Sequence, residues 1–188
     1  MSGESSGHAF GVFHHGQVEL DGPVDWPAGI RVVIQPVEAF SEAAAGAGGP
    51  VIIAGFGLGG RYVADLLDHG GIPYVVVEQN PVTVETQACL GRRIVLGDVS
   101  KEATLREADV ETASTLALTI PDEQAVLKAT SLARRLNPGI YIIARTTYTS
   151  SGLQASQLGA DEVIKAEQAV ALQFYERLRR RLSRSGQH

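Results

Sequence analysis

The sequence predicts an α/β protein built on a doubly wound parallel sheet, preceded by a small N-terminal β extension. Three observations carry this. From Val51 onward, short apolar runs alternate strictly with helix-periodic segments, the pattern of parallel strands covered by helices on both faces. The first apolar run, Val51 to Ala54, passes straight into a glycine-rich turn, Gly55-Phe56-Gly57-Leu58-Gly59-Gly60, and then into a helix. The second run ends on an acid, Glu78, 18 residues after Gly60. A strand, a G-x-G-x-x-G turn, a helix and an acid at that distance together describe a Rossmann-type nucleotide-binding unit.

Residues 1–8 are small and polar and read as disordered or as a remnant of expression. Residues 9–40 read as a β extension. Phe10 to Phe13 and Gln17 to Leu20 alternate around a turn at His15-Gly16. Turn clusters at Asp21-Gly22-Pro23 and Trp26-Pro27-Ala28-Gly29 precede a third strand, Ile30 to Ile34. His8, His14 and His15 lack cysteine or carboxylate partners at ligand spacing, so no metal site is assigned. Residues 41–50 are a small-residue linker.

The domain over residues 51–183 follows. Strand Val51 to Ala54 precedes a helix over Gly59 to His69, stopped by Gly70-Gly71. Strand Tyr74 to Glu78 precedes a helix from Pro81 to Leu90, with proline at a favoured first position. Strand Arg93 to Leu96 leads through Gly97-Asp98 to a helix capped by Ser100 and running to Ala108. Strand Thr115 to Thr119 precedes a helix from Asp122 to Leu136, closed by Asn137-Pro138-Gly139. Strand Ile140 to Ala144 leads to Arg145 and a helix from about Ser150 to Leu158, with Gly159 beyond its end. Strand Glu162 to Lys165 precedes a last helix from Glu167 to about Ser183.

Composition narrows the function. A hydrophobic fraction of 44% supports a real core, and a net charge of −5 argues against nonspecific nucleic-acid binding. The single Cys89 excludes an internal disulfide and a multi-cysteine metal site. No apolar run approaches the ~20 residues that span a bilayer, and no signal peptide is visible. The expected location is cytoplasmic, or peripheral at the inner face of the membrane.

In doubly wound sheets ligands bind beyond the carboxyl ends of the strands. The residues there are Gly55 to Arg61, Glu78-Gln79-Asn80, Gly97-Asp98-Val99, Thr119-Ile120 and Arg145-Thr146. Gly55 allows the tight turn, Gly57 admits a pyrophosphate against the backbone, and Gly60 lets the helix approach the sheet. Helix N–H groups and the helix dipole then face the phosphates. Glu78 can accept two ribose hydroxyls. Asp98 is placed to hold a ribose or base edge, or to cap a loop. Arg145 can pair with phosphate through its planar fork or make a structural ion pair. No Ser-His-Asp, Cys-His or metal constellation accompanies these residues, and His69 and His188 are the only histidines after residue 15. A nucleotide site without catalytic residues suggests a sensor rather than an enzyme.

Residues 51 to about 178 resemble the RCK N-terminal domain (regulator of conductance of potassium), also called the Trk-type N-terminal NAD-binding domain. The resemblance rests on Gly55-Phe56-Gly57-Leu58-Gly59-Gly60, Val77-Glu78-Gln79-Asn80-Pro81, Leu96-Gly97-Asp98-Val99, Ile143-Ala144-Arg145 and Leu158-Gly159-Ala160-Asp161-Glu162-Val163-Ile164. Arg145-Thr146-Thr147-Tyr148 and the helix bearing Glu167 are similar to the regulatory domains of Kef-type cation/proton antiporters. The stretch Gly16 to Gly29 resembles the small β modules of antitoxin-like proteins. The RCK resemblance implies a dimer, or a higher assembly, that binds NAD(H) or an adenine nucleotide (ATP, ADP or AMP) and controls a membrane potassium or cation channel or transporter. It places nucleotide contacts on the glycine loop, Glu78, Asp98, Thr119-Ile120 and Arg145. The acid at Glu78 stands where Asp is frequent, and the family's C-terminal ligand-binding domain has no counterpart in this sequence.

The last helix adds an apolar stripe, Val170, Phe174 and Leu178, suited to a partner helix. It ends in Arg177, Arg179, Arg180, Arg181 and Arg184, a solvated basic face or a contact for an acidic partner or anionic lipid. Two other functions compete: an NAD-dependent oxidoreductase that relies on a partner chain for its substrate, and a nucleotide-sensing transcriptional regulator. The missing acid–base group disfavours the first. The negative net charge and the lone Arg31 within residues 1–50 disfavour the second.

Overall fold

The structure, a computed structural model, describes residues 11–14, 17–20 and 48–185. It divides into two units, Met1–Ala39 and Phe40–His188. In the first, β1 (Gly11–His14) pairs antiparallel with β2 (Gln17–Leu20), with Val12 opposite Glu19. The turn at His15-Gly16, the strand expected over Ile30 to Ile34, the polar tail of residues 1–8 and most of the linker lie outside the described residues.

The second unit is a six-stranded parallel sheet in the order β5-β4-β3-β6-β7-β8. Its strands are β3 (Val51–Ala54), β4 (Tyr74–Glu78), β5 (Ile94–Leu96), β6 (Thr115–Leu118), β7 (Tyr141–Thr146) and β8 (Glu162–Lys165). Every residue of β3 is buried, because the strand has neighbours on both sides and helices over both faces. This is why its sequence is a continuous apolar run and not an alternation. Ile52 and Ala54 point into the larger core with Val75, Leu116, Leu118, Val126 and Ile142, while Val51 and Ile53 join Phe56, Ala64, Leu67 and Val76 on the other face.

The helices are set by local chemistry and by what they bury. Helix α1 (Leu58–His69) places Gly60, Ala64 and Leu67 on the sheet and ends at Gly70, with Gly71 at a φ of +60°. Helix α2 (Pro81–Cys89) starts on proline and is capped by Asn80, whose side chain accepts from the N–H groups of Val82 and Thr83. Helix α3 (Glu102–Glu107) corrects an expectation: Ser100 is not its cap. The residue at the cap is Lys101, without a side-chain hydrogen bond, and the N–H of Ser100 is held by Asp98. Helix α4 (Glu123–Leu136) is capped by Asp122 and buries Val126, Ala129, Thr130 and Ala133. Asn137 closes it and donates to the carbonyls of Val110 and Ala113, which ties the helix end to the loop before β6.

Helix α5 (Thr149–Gln157) lays Ser151, Gly152 and Ala155 on the sheet. After it, Gly159 takes a φ of +107°, and Arg134 holds the Gly159 carbonyl and the Asp161 carboxylate. Strand β7 runs two residues past its expected end at Ala144, because Arg145 and Thr146 pair with Ile164 and Lys165 of β8. In helix α6 (Ala166–Ser185) residues 167–182 are exposed, with Val170, Phe174 and Leu178 at 51%, 66% and 60% exposure. Tyr141 and Ile164 are also exposed, on the sheet face opposite α4 and α5.

From β3 the chain moves outward one way to β4 and β5, and from β6 it moves the other way to β7 and β8. The adjacent carboxyl ends of β3 and β6 therefore flank a crevice at the point where strand order reverses. The depth of that crevice depends on how closely α1 approaches the sheet. A Cβ added to Gly60 would lie 2.0 Å from the Gly55 carbonyl oxygen and 3.2 Å from Thr119 Oγ1. Gly60→Ala is expected to destabilise the domain by roughly 1–3 kcal/mol through overpacking, measured by urea denaturation. An unchanged midpoint would mean that the close approach is not needed.

Candidate functional site

A cleft of about 370 Å³ lies at this reversal point, lined by Gly55, Gly57, Val77, Glu78, Gln79, Gly97, Val99, Thr119, Ile120, Pro121, Asp122 and Ala125. Its walls are locked to one another. The Gly55 N–H donates to the Val77 carbonyl at 2.8 Å, and the Gly97 N–H donates to the Glu78 carbonyl at 2.9 Å. The Thr119 hydroxyl donates to the carbonyls of Ala54 (2.8 Å) and Gly55 (3.3 Å), joining the ends of β6 and β3. Gly55 sits at a φ of +90°, where an L side chain is strained, and a Cβ there would come 2.7 Å from Ile120 Cγ2.

Gly57 differs from both neighbouring glycines of the motif. A Cβ at Gly57 would meet nothing within 4 Å, and its φ of −72° is open to any residue. Glycine here leaves space in front of the start of α1. That helix has no side-chain cap and no acid in its first turn. Of the other helix starts around the cleft, Asn80 caps α2 and Asp122 caps α4, while α3, which also lacks a side-chain cap, carries the acid Glu102 in its first turn. The Thr147 and Tyr148 N–H groups just before α5 both donate to the Glu123 carboxylate. The N–H groups and positive dipole end of α1 are turned to the open space at Gly57 without a side-chain cap.

Glu78 stands across the cleft from that helix start. Its Oε2 accepts from the Phe56 N–H at 2.7 Å, and its Oε1 accepts from the N–H groups of Gln79 and Asn80, both at 2.8 Å. A carboxylate has about four acceptor positions, so Oε2 retains an open one facing the cleft. Asp98 closes the neighbouring turn, with Oδ1 accepting from the Ser100 N–H at 2.8 Å. Partial burial works to raise its pKa, but the Ser100 hydrogen bonds and the charges of Lys101 and Lys128 outweigh this and hold it below the ordinary carboxylate value. Glu123 is also held low, by hydrogen bonds from the Ser151 hydroxyl and the Thr147 N–H. Both carboxylates are ionised at neutral pH and engaged in shaping loops, which suits neither as a general acid.

Among the residues expected from sequence, Gly55, Gly57, Glu78, Gln79, Gly97, Val99, Thr119 and Ile120 line the cleft. The rest are placed around it. Phe56 is turned into the core beneath the guanidinium groups of Arg61 and Arg92. Leu58 is 74% exposed, Gly59 and Gly60 lie in the first turn of α1, Asn80 is a helix cap and Asp98 holds a turn. Arg145 lies within β7 and not beyond it, and its Nη1 donates to the Ile120 carbonyl at 3.5 Å. Sequence reasoning missed Pro121, Asp122 and Ala125, which follow β6 across the crevice from the glycine loop. The available signal was positional: the loop after the strand that starts the second half of the sheet always faces the first βα turn. Among the described residues no cluster of His, Cys, Asp and Glu could hold a metal ion.

Strand order and cleft together define a nucleotide-binding α/β domain of the Rossmann type. The chain belongs to the TrkA-N domain family, whose pattern matches residues 51–166. YbaL of Escherichia coli K12 is 32% identical over 127 residues, 68% of this chain and 23% of YbaL. The glutathione-regulated potassium-efflux system protein KefC of Cronobacter sakazakii is 35% identical over 109 residues, 58% of this chain and 18% of KefC. This chain therefore spans a quarter or less of those relatives.

Among solved structures, the TrkA-N domain of the inner membrane protein YbaL from Escherichia coli superposes with a TM-score of 0.67 at 31% identity, covering 71% of this chain and 98% of that one. The Kef C-terminal domain of Shewanella denitrificans in its AMP-bound form gives a TM-score of 0.56 at 26% identity, covering 65% and 75%. GsuK bound to ADP gives 0.54 at 28% identity, covering 65% and 32%.

Proposed function

We propose that the chain is a nucleotide-sensing regulatory module of potassium or other cation transport, with NAD(H) or an adenine nucleotide (ATP, ADP or AMP) as its ligand. The observation that carries this is the uncapped start of α1 facing open space at Gly57, with the Glu78 carboxylate across the same cleft. In this reading the phosphates rest on the N–H groups that follow Gly57. A ribose hydroxyl takes the open position on Glu78 Oε2. Gly97, Asp98 and Val99 border the adenosine, Thr119 and Ile120 form the floor, and Arg145, beside Ile120, supplies a cation. The AMP and ADP complexes of related Kef and GsuK domains support the ligand class, and the potassium-efflux relative supports the transport setting.

Regulation follows from differential binding to two states. Glu78 fastens the glycine loop through Phe56, so a hydroxyl on the same carboxylate couples ligand occupancy to the loop and to α1 behind it. The module works as a homodimer. The stripe Val170, Phe174 and Leu178 on α6 and the exposed Tyr141 and Ile164 on the sheet are apolar surfaces that a second copy would bury. No role in chemical turnover is assigned: the charged groups of the site are all accounted for by ribose, phosphate or loop contacts. The partner is a membrane cation channel or transporter, reached from the cytoplasmic side.

Calorimetric titration tests the site. NADH, AMP, ADP or ATP should bind more tightly than NADPH, because a carboxylate repels a 2′-phosphate. Gly57→Val should weaken binding more than tenfold (about 1.4 kcal/mol) with the fold intact. Normal binding by that variant, or preference for NADPH, would overturn the assignment. Light scattering should report a dimer, and a Phe174→Glu variant should shift it toward monomer; a wild-type monomer at tens of micromolar, the range of a weak dimer, would refute the dimeric module.

A further inference from the structure

We propose that the arginine-rich end of α6 is a docking surface for an anionic phospholipid bilayer. Five of the chain's 16 basic residues fall at Arg177, Arg179, Arg180, Arg181 and Arg184, and no acid follows Glu176 in the helix, although the whole chain carries a net charge of −5. Residues 167–182 are exposed throughout. Arg180 reaches Glu176 at 3.8 Å, and both side chains are at least half exposed, so water and salt screen that pair. Leu182 stands among the arginines at 69% exposure, one turn beyond the stripe assigned to the dimer.

The arrangement selects a surface and not a point ligand. At helical spacing Arg177, Arg180 and Arg181 share one side, and Arg179 emerges on another. Charge spread in this way does not converge on a single carboxylate or phosphate. A bilayer of anionic lipid asks only for charge density near its plane, where each basic side chain contributes about a fivefold factor in binding. An exposed leucine among basic residues suits a helix that lies at the boundary between headgroups and acyl chains. No helix among the described residues is long and apolar enough to cross a membrane, so α6 would meet the bilayer from outside. An acidic protein would need carboxylates fixed on two sides of the helix, which makes it the less economical occupant. The proposal is independent of the nucleotide cleft.

Flotation of the full chain with vesicles tests it. Vesicles of mixed phosphatidylglycerol and phosphatidylcholine should carry the protein at low salt, and pure phosphatidylcholine vesicles should not. Raising ionic strength to about 0.5 M, where the Debye length falls below ~5 Å, should release it. The variant Arg179→Gln/Arg180→Gln/Arg181→Gln should bind on the order of 100-fold more weakly, with an unchanged circular dichroism melt. Equal binding to both vesicle types, salt-insensitive binding, full binding by the variant, or capture by polyglutamate without vesicle binding would each overturn the proposal; the last would assign the arginines to an acidic protein.

Discussion

The approach of α1 to the end of β3 governs this molecule. At Gly60 the helix backbone comes so close to the Gly55 carbonyl that no Cβ fits between them, and Gly55 itself must turn at positive φ to let the chain enter the helix. These two contacts aim the first turn of α1 along the cleft floor. They also bring the Phe56 N–H within 2.7 Å of Glu78, which fixes the spacing between the glycine loop and the Glu78 carboxylate. Thr119 completes the joint by bonding both Ala54 and Gly55 from the neighbouring strand. The site's geometry is therefore a consequence of backbone packing at the sheet's reversal point.

The chain's own polar groups close several of the helix starts around the cleft but not that of α1. Asn80 and Asp122 satisfy the starts of α2 and α4, and Glu123 satisfies the turn before α5. Each of these is a small stabilising contact of the kind that helix ends ordinarily make. Beside these, α1 starts without a side-chain cap or a first-turn acid, whereas the uncapped α3 carries Glu102 in its first turn. In the reading proposed above, a site organised this way binds and reports. The family relationship fits that character, in that the related Kef and GsuK domains were solved with AMP and ADP bound.

Much of the nucleotide-binding fold was legible in the sequence because a parallel sheet buries its strands on both faces and writes them as apolar runs. The misreadings occur where tertiary partners decide. Strand β7 extends through Arg145 and Thr146 only because β8 offers matching hydrogen bonds. Ser100 resembles a helix cap, but Asp98 two residues earlier captures its N–H, and the helix starts later at Glu102. Glu78 was visible as a strand-end acid, whereas its bond to Phe56 required knowing that the glycine loop returns to it. Asp122 and Ala125 carry no local signal as cleft residues; only the position of their loop, after the strand β6 that lies beside β3, points to them.

The central claim is that a nucleotide phosphate is held at the open start of α1. Its most direct test is a titration of the ¹⁵N-labelled chain with ADP, followed by amide NMR. The largest shifts are expected at Gly57, Leu58 and Gly59, with a coupled shift at Phe56 as the ligand hydroxyl joins it on Glu78. Largest shifts at the start of α4 instead, or none around the glycine loop, would contradict the assignment.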